Sequence, residues 1–220
     1  MARKNFGLDG TLVGSAPSLC HAGNALLADL GRAPVDVETY KGFVGRGMPK
    51  QVAGLLAHTG GVPGGDLTPH LARFRAVYDA DPLILTVAYP GVMEALDLLR
   101  GQGHRLAVCT QKALVPARKV LAGLGLDRLS EGLTGGDSRD VLKPDPAMLW
   151  HAAAQFGAGP GVYLGDSGVD AETAERAGVP FLLHTEGYRK EPVEALPKTA
   201  TFARWEAVPD LVALALRDAA

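Results

Sequence analysis

The chain has 220 residues, a formal net charge of −2 and a hydrophobic fraction of 47%. This composition is typical of a globular protein with a sizeable core, and the lack of a basic excess excludes an electrostatic footprint for nucleic acid. No apolar run approaches the roughly 20 residues that span a bilayer, and no secretory signal follows Met1–Lys4. Cys20 and Cys109 are isolated and the six histidines are dispersed, so we expect reduced thiols, no zinc site and a cytoplasmic location.

The N-terminal part of the chain predicts a short strand followed by a helical block. Lys4 and Asn5 make this first strand less apolar than a central buried strand usually is. From residue 15 to residue 88, helical periodicity recurs between turn-rich stretches, and no convincing strand is found. A helical block inserted after a first strand indicates a cap, so we predict a cap at 15–88 and a core formed by 1–14 and 89–220. The predicted cap helices cover 19–30, 51–58 and 71–78.

Beyond residue 89, short apolar runs alternate with amphipathic stretches. This alternation is typical of βα units around a parallel sheet. We therefore predict an α/β fold with a doubly wound, Rossmann-like parallel sheet as its core. The predicted strands cover 105–110, 161–165 and 180–184, and the predicted helices cover 114–125, 171–177 and 208–219.

Four polar groups lie at or just beyond the carboxyl ends of predicted strands, where open α/β sheets bind ligands. Asp9 lies in a Gly-Leu-Asp-Gly-Thr turn, Thr110 ends a strand, and Lys143 precedes a proline that starts a helix. Each of these alone is more often a turn, a lone hydroxyl or a helix start. Asp166 and Asp170 are more specific, because two closely spaced acids after a buried strand suit a hard cation such as Mg²⁺.

The order of these groups along the whole chain resembles the four-motif signature of the haloacid dehalogenase superfamily. Within that superfamily, the sequence is most similar to the phosphoglycolate phosphatases. The segments that carry the closer resemblance are LVGSAP, FVGRGMP, YPGV and LGDSGVDAETAERAGVP.

The resemblance implies a phosphatase that works through an aspartyl-phosphate. The family's nucleophile is a carboxylate at the position of Gly7, and an acid two residues later, here Asp9, protonates the leaving alkoxide and then activates water. Thr110 and Lys143 would bind the phosphoryl oxygens and offset their charge. The resemblance further implies Mg²⁺ held by Asp166, with help from Asp170 and from the backbone carbonyl of Asp9.

The loop at 42–49 resembles the family's substrate-specificity loop. Arg46, which lies between two glycines, could hold the carboxylate of 2-phosphoglycolate in a bidentate pair, or it could be a solvated arginine in a turn. The expected ligand is a small phosphorylated metabolite, and either a monomer or a homodimer fits the sequence.

The sequence departs from the family at Gly7, which can neither attack phosphorus nor ligate a metal. Loss of a covalent nucleophile lowers kcat by about 10⁴–10⁶ in serine hydrolases, so we expect little activity. The chain is then a natural pseudoenzyme, an altered or misread version of an active phosphatase, or a slow enzyme in which water attacks directly. Another small phosphomonoesterase, a β-phosphoglucomutase-like enzyme and a non-catalytic phosphoester-binding module are the alternative functions.

Overall fold

The computed structural model describes residues 2–155 and 161–218 as an α/β fold. The strands are β1 (Arg3–Phe6), β2 (Val13–Gly14), β3 (Val87–Ala88), β4 (Arg105–Cys109), β5 (Gly132–Thr134), β6 (Gly161–Gly165), β7 (Phe181–His184) and β8 (Ala200–Phe202). The helices are α1 (Ala16–Asp29), α2 (Val37–Lys41), α3 (Met48–His58), α4 (Thr68–Ala80), α5 (Val92–Gly101), α6 (Leu114–Gly123), α7 (Ala147–Ala154), α8 (Gly168–Ala177) and α9 (Val208–Asp218).

Six of the strands form one parallel sheet in the order β5-β4-β1-β6-β7-β8. Helices α5, α6 and α9 contribute to a hydrophobic cluster on one face, and α7 and α8 contribute to a cluster on the other. A parallel sheet needs cover on both faces because its strands are joined by crossovers. The predicted doubly wound fold is therefore confirmed.

Helices α1 to α4 pack around a hydrophobic cluster of their own, which includes Leu26, Leu55 and Phe74. A two-stranded antiparallel ribbon of β2 and β3 joins this cap to the sheet. Strand β3 is a correction to the sequence analysis, which found no convincing strand between residues 15 and 88. It is only two residues long, too short for a period-two pattern. The ribbon lies at the predicted domain boundaries, and the division itself stays a prediction.

The predicted elements beyond residue 89 are present; the strand at 161–165 has the predicted ends and several others differ. Helix α8 begins at Gly168 rather than at residue 171, because Ser167 and Asp170 form a reciprocal capping box. The strand predicted to end at 110 stops at Cys109, and the helix predicted to reach 125 stops at Gly123. The predicted end of the last helix at residue 219, and the predicted domain ends at residues 1 and 220, lie outside the described residues.

Strand β1 is the central strand of the sheet and buries polar side chains. Lys4 has no exposed surface, and neither its Nζ nor the Oδ1 of Asn5 has a hydrogen-bond partner. Burial lowers the pKa of Lys4 from its ordinary value of 10.5 to about 8. The polar side chains that make this strand unusual in the sequence, Lys4 and Asn5, are therefore buried in the protein. Cys20 and Cys109 are buried and unpaired, as predicted.

None of the helices in the described residues has the length and apolar character needed to cross a bilayer.

Candidate active site

A cavity of about 610 Å³ lies between the carboxyl ends of β1, β4 and β6 and the cap. The cap lines it with the 44–51 segment and with Arg75 and Asp79 of α4. All the side chains or positions predicted for the site line this one cavity: Gly7, Asp9, Arg46, Thr110, Lys143, Asp166 and Asp170.

Asp9 is held by a turn and by two side chains. The turn bends at Gly10, whose φ is 80°, and the carbonyl of Gly10 accepts a 2.8 Å hydrogen bond from Nδ1 of the buried His184. The Oδ1 atom of Asp9 accepts a hydrogen bond from Ser15 Oγ at 2.5 Å and forms an ion pair with Lys112 Nζ at 2.9 Å. Lys112 was not among the predicted site residues, and its only signal in the sequence is its position two residues after Thr110.

Asp170 is saturated by hydrogen bonds at the start of α8. Its Oδ1 accepts from Lys143 Nζ at 2.5 Å and from the Tyr163 hydroxyl at 2.6 Å, and its Oδ2 accepts from Ser167 Oγ at 2.6 Å. Burial opposes charge on both members of the pair, but their mutual attraction outweighs it. The pKa of Asp170 is consequently below its usual range and the pKa of Lys143 is above it.

Asp166 is a buried carboxylate with a different set of partners. Its Oδ1 accepts a 2.8 Å hydrogen bond from Thr11 Oγ1, and its Oδ2 accepts one of 2.8 Å from the amide of Tyr188. Burial and the negative charge of Asp170 raise the pKa of Asp166 to about 7. Within the residues that the structure describes, Asp166 forms no ion pair, whereas Lys112 pairs with Asp9 and Lys143 with Asp170. A bound cation would supply the positively charged partner that Asp166 lacks.

These residues fit a Mg²⁺ ion that takes few of its ligands from the protein. Residues 2–155 and 161–218 contain no group of three His, Cys, Asp or Glu side chains that could hold a metal. Mg²⁺ in phosphate-handling sites is often held by one or two carboxylates together with water and substrate phosphate. Asp166 and the backbone carbonyl of Asp9 suit such an ion, while the side chains of Asp9 and Asp170 are engaged by lysines. The predicted ligand set of Asp9, Asp166 and Asp170 stays a prediction.

Gly7 lies directly after β1, and its amide donates a 2.8 Å hydrogen bond to the carbonyl of Leu164. Its backbone is not in the left-handed region, so a side chain would be compatible with its φ. A Cβ added at Gly7 would nevertheless lie 2.6 Å from Thr11 Oγ1. The Thr11 hydroxyl therefore occupies space that a side chain at residue 7 would need, and it would have to turn away from that side chain.

Thr110 and Arg46 approach the cavity from opposite sides. The amide of Thr110 donates to the carbonyl of Thr134 at 2.9 Å, and its hydroxyl accepts a 3.1 Å hydrogen bond from the amide of Lys112. Arg46 is exposed and lies in the cap between Gly45 and Gly47, whose φ values are 114° and 80°. The Thr110 hydroxyl is thus oriented by the backbone, and the Arg46 guanidinium makes no hydrogen bond or ion pair with the described residues.

Comparison with known proteins agrees with this geometry. Residues 6–178 match the family model of the haloacid dehalogenase-like hydrolases. The chain belongs to this family. It is 44% identical over 208 residues to a phosphoglycolate phosphatase from Cereibacter sphaeroides, covering 94% of this chain and 95% of that protein. It is also 40% identical over 212 residues to one from Rhodospirillum rubrum, covering 93% of this chain and 88% of that protein.

The fold of this haloacid dehalogenase-like hydrolase has a close counterpart among crystal structures. A predicted phosphoglycolate phosphatase from Haemophilus somnus superposes with a TM-score of 0.87 at 26% identity, covering 95% of this chain and 96% of that one. The resemblance inferred from the motifs, to the family and to its phosphoglycolate phosphatases, is therefore confirmed.

Proposed function

We propose that the cavity binds 2-phosphoglycolate together with Mg²⁺, that the scaffold is built to hydrolyse it to glycolate and phosphate, and that Gly7 leaves this chain with little turnover. The observation that carries the proposal is the convergence of Asp9, Thr110, Lys143 and Asp166 on one cavity beneath a cap. The names of the relatives support this substrate.

The binding half of the chemistry follows from donors and charges. The Thr110 hydroxyl and the Lys143 ammonium would hold the phosphoryl oxygens, which carry most of the substrate's negative charge. Asp166 and the Asp9 carbonyl would hold Mg²⁺, which when bound offsets further phosphoryl charge. Arg46 would pair with the carboxylate at the other end of the substrate from its place in the cap.

Asp9 would carry out the proton transfers of the reaction. Its Oδ1 is occupied by Ser15 and Lys112, while Oδ2 has no hydrogen bond within the described residues. Protonated Asp9 would give its proton to the glycolate oxygen as the P–O bond breaks and a water oxygen bonds to phosphorus, and the ionised Asp9 would then take the surplus proton of that attached water. Because Gly7 has no carboxylate, no aspartyl-phosphate can form, and water would have to attack phosphorus directly.

A substrate panel tests the substrate assignment. The Gly7→Asp protein is assayed with Mg²⁺ on 2-phosphoglycolate, on hexose phosphates and on other small phosphomonoesters. We expect the highest kcat/KM on 2-phosphoglycolate. A preference for hexose phosphates would contradict the proposal and favour a β-phosphoglucomutase-like activity. Calorimetric titration of the unaltered chain should show binding of 2-phosphoglycolate that is stronger with Mg²⁺ than without it.

A non-catalytic phosphoester-binding module is the second candidate, and the packing at Gly7 favours it. The Thr11 hydroxyl lies in the space of the missing side chain and is bonded to Asp166, as expected if the site had adapted to glycine. This function predicts that the unaltered chain binds 2-phosphoglycolate and that Gly7→Asp creates no efficient phosphatase.

We also propose a cytoplasmic protein, either a monomer or a homodimer. Its two buried, unpaired cysteines support a reducing compartment.

A further inference from the structure

Lys112 is a buried ammonium with one partner in the core and one in the cap. Its side chain is 5% exposed, and its Nζ lies 2.9 Å from Asp9 Oδ1. The same atom donates a 2.6 Å hydrogen bond to the hydroxyl of Tyr78, a buried residue of α4. Lys112 therefore joins the predicted acid/base to the cap through a single charged atom.

The 111–119 segment that carries Lys112 makes two further polar contacts between core and cap. Gln111 Nε2 donates to the carbonyl of Gly45 at 2.7 Å, and Lys119 Nζ donates to the carbonyl of Asp79 at 2.8 Å. The Lys119 bond is exposed and does not involve Asp9, whereas the Lys112 bonds are sheltered. Exposed polar contacts contribute little, while a buried charge that loses a partner is strongly disfavoured.

We propose that Lys112 is a positioning residue that couples closure of the cap to the placement of Asp9, an inference that rests on the proposed function. With the cap closed, Tyr78 and Asp9 share the ammonium, which holds Asp9 Oδ1 and leaves Oδ2 for the substrate. When α4 withdraws, Lys112 loses the Tyr78 hydroxyl and its shelter from water. Asp9 is then no longer held, so the acid/base is in place only while the cap covers the substrate.

Kinetics in the Gly7→Asp protein test this coupling. Lys112→Met should lower kcat for 2-phosphoglycolate by roughly 10–100-fold while KM changes little, because a positioned acid/base contributes to the transition state rather than to uniform binding. Tyr78→Phe keeps the ring and removes the hydroxyl, so it should lower kcat by a smaller factor. Lys119→Met is the matched control, a bridging lysine away from Asp9, and should leave kcat within about twofold.

Two kinetic results would overturn the inference. One is a Lys112→Met enzyme with the same kcat as Lys119→Met. The other is a change confined to KM, which would make Lys112 a substrate-binding residue only. If Lys112→Met fails to fold, Tyr78→Phe decides, and an unchanged kcat in that variant counts against the coupling.

Amide hydrogen exchange in the chain with Gly7 separates this inference from the proposed function. Lys112→Met should speed exchange in α4 at least about threefold more than Lys119→Met does, because local opening follows the loss of buried contacts. Absence of phosphatase activity in the Gly7→Asp protein would refute the proposed function, and the exchange result would still decide on Lys112. Equal exchange in the two variants would overturn the coupling.

Discussion

Strands β6 and β1 lie side by side in the sheet, yet the residues that follow β6 and the residues within β1 differ in how well their polar groups are satisfied. After β6, both oxygens of Asp166 and both oxygens of Asp170 accept hydrogen bonds from the protein. In β1, Lys4 and Asn5 bury polar atoms that have no partner. Gly7, which directly follows β1, lacks the carboxylate that the family chemistry uses.

This difference locates the departure from the family in one strand. The Asp170–Lys143 pair, the Thr110 turn and the Asp9 turn are held by hydrogen bonds and ion pairs, as the proposed phosphate chemistry requires. If the departure from the family is confined to β1 and Gly7, substitutions there should be enough to change turnover or stability without disturbing the rest of the site. Changes in the networks that follow β4 and β6 should instead damage both stability and binding.

The largest stability effect is expected from breaking the satisfied region at Lys143. Lys143→Met should lower the free energy of unfolding by about 3–5 kcal/mol, because it leaves the buried Asp170 carboxylate without its cation. Urea denaturation measures this change. Lys41→Met is the control, because Lys41 pairs with Glu38 on the surface and its removal should have little effect. An equal loss of unfolding free energy in Lys143→Met and Lys41→Met would contradict the importance of the buried pair.

A smaller effect of opposite sign is expected in β1 at Lys4. The pKa of Lys4 is about 8 in the folded protein, below its ordinary value of 10.5, so the unfolded chain binds the proton more tightly. Lys4 therefore destabilises the fold fully below pH 8, and the penalty fades as the pH rises from 8 to 10.5. Lys4→Leu should stabilise the protein at pH 7 by about 2–3 kcal/mol, with the gain shrinking across that window.

Urea denaturation at several pH values checks this prediction. Lys190→Leu, a change at an exposed lysine, serves as the control and should leave the pH dependence as it is. A Lys4→Leu protein that is less stable at pH 7, or whose gain does not depend on pH, would show that Lys4 finds a partner in solution.

The smallest effect is expected at Gly7 itself. Gly7→Ala restricts the unfolded chain, which favours folding, but the new Cβ must displace the Thr11 hydroxyl from its bond to Asp166. We expect a net loss of up to about 1 kcal/mol. In a Thr11→Ala background the same change should be neutral or stabilising. Additive effects in this double-mutant cycle, measured by thermal unfolding, would contradict the packing described for Gly7.

Much of the site could be predicted from the sequence, because parallel strands bring their carboxyl ends to one edge of the sheet. That rule was enough to place Asp9, Thr110 and Asp166 together. The rule could not predict Lys112, because its role depends on the Tyr78 hydroxyl of the cap. It could not predict Thr11 either, because the rotamer of Thr11 is what fills the space beside Gly7. The order of motifs also does not predict which groups the side chains of Asp9 and Asp170 contact. In the structure, Lys112 binds Asp9 and Lys143 binds Asp170.

We infer that this site is complete for phosphatase chemistry apart from one carboxylate, the one missing at Gly7. The most direct test is the kcat/KM for 2-phosphoglycolate with Mg²⁺ of the Gly7→Asp protein, compared with the unaltered chain and with Gly7→Asn, which has the same size but no charge. We predict a gain of about 10⁴ or more for Gly7→Asp and at most a small change for Gly7→Asn. Equal activity of the Gly7→Asp and Gly7→Asn proteins would contradict the claim.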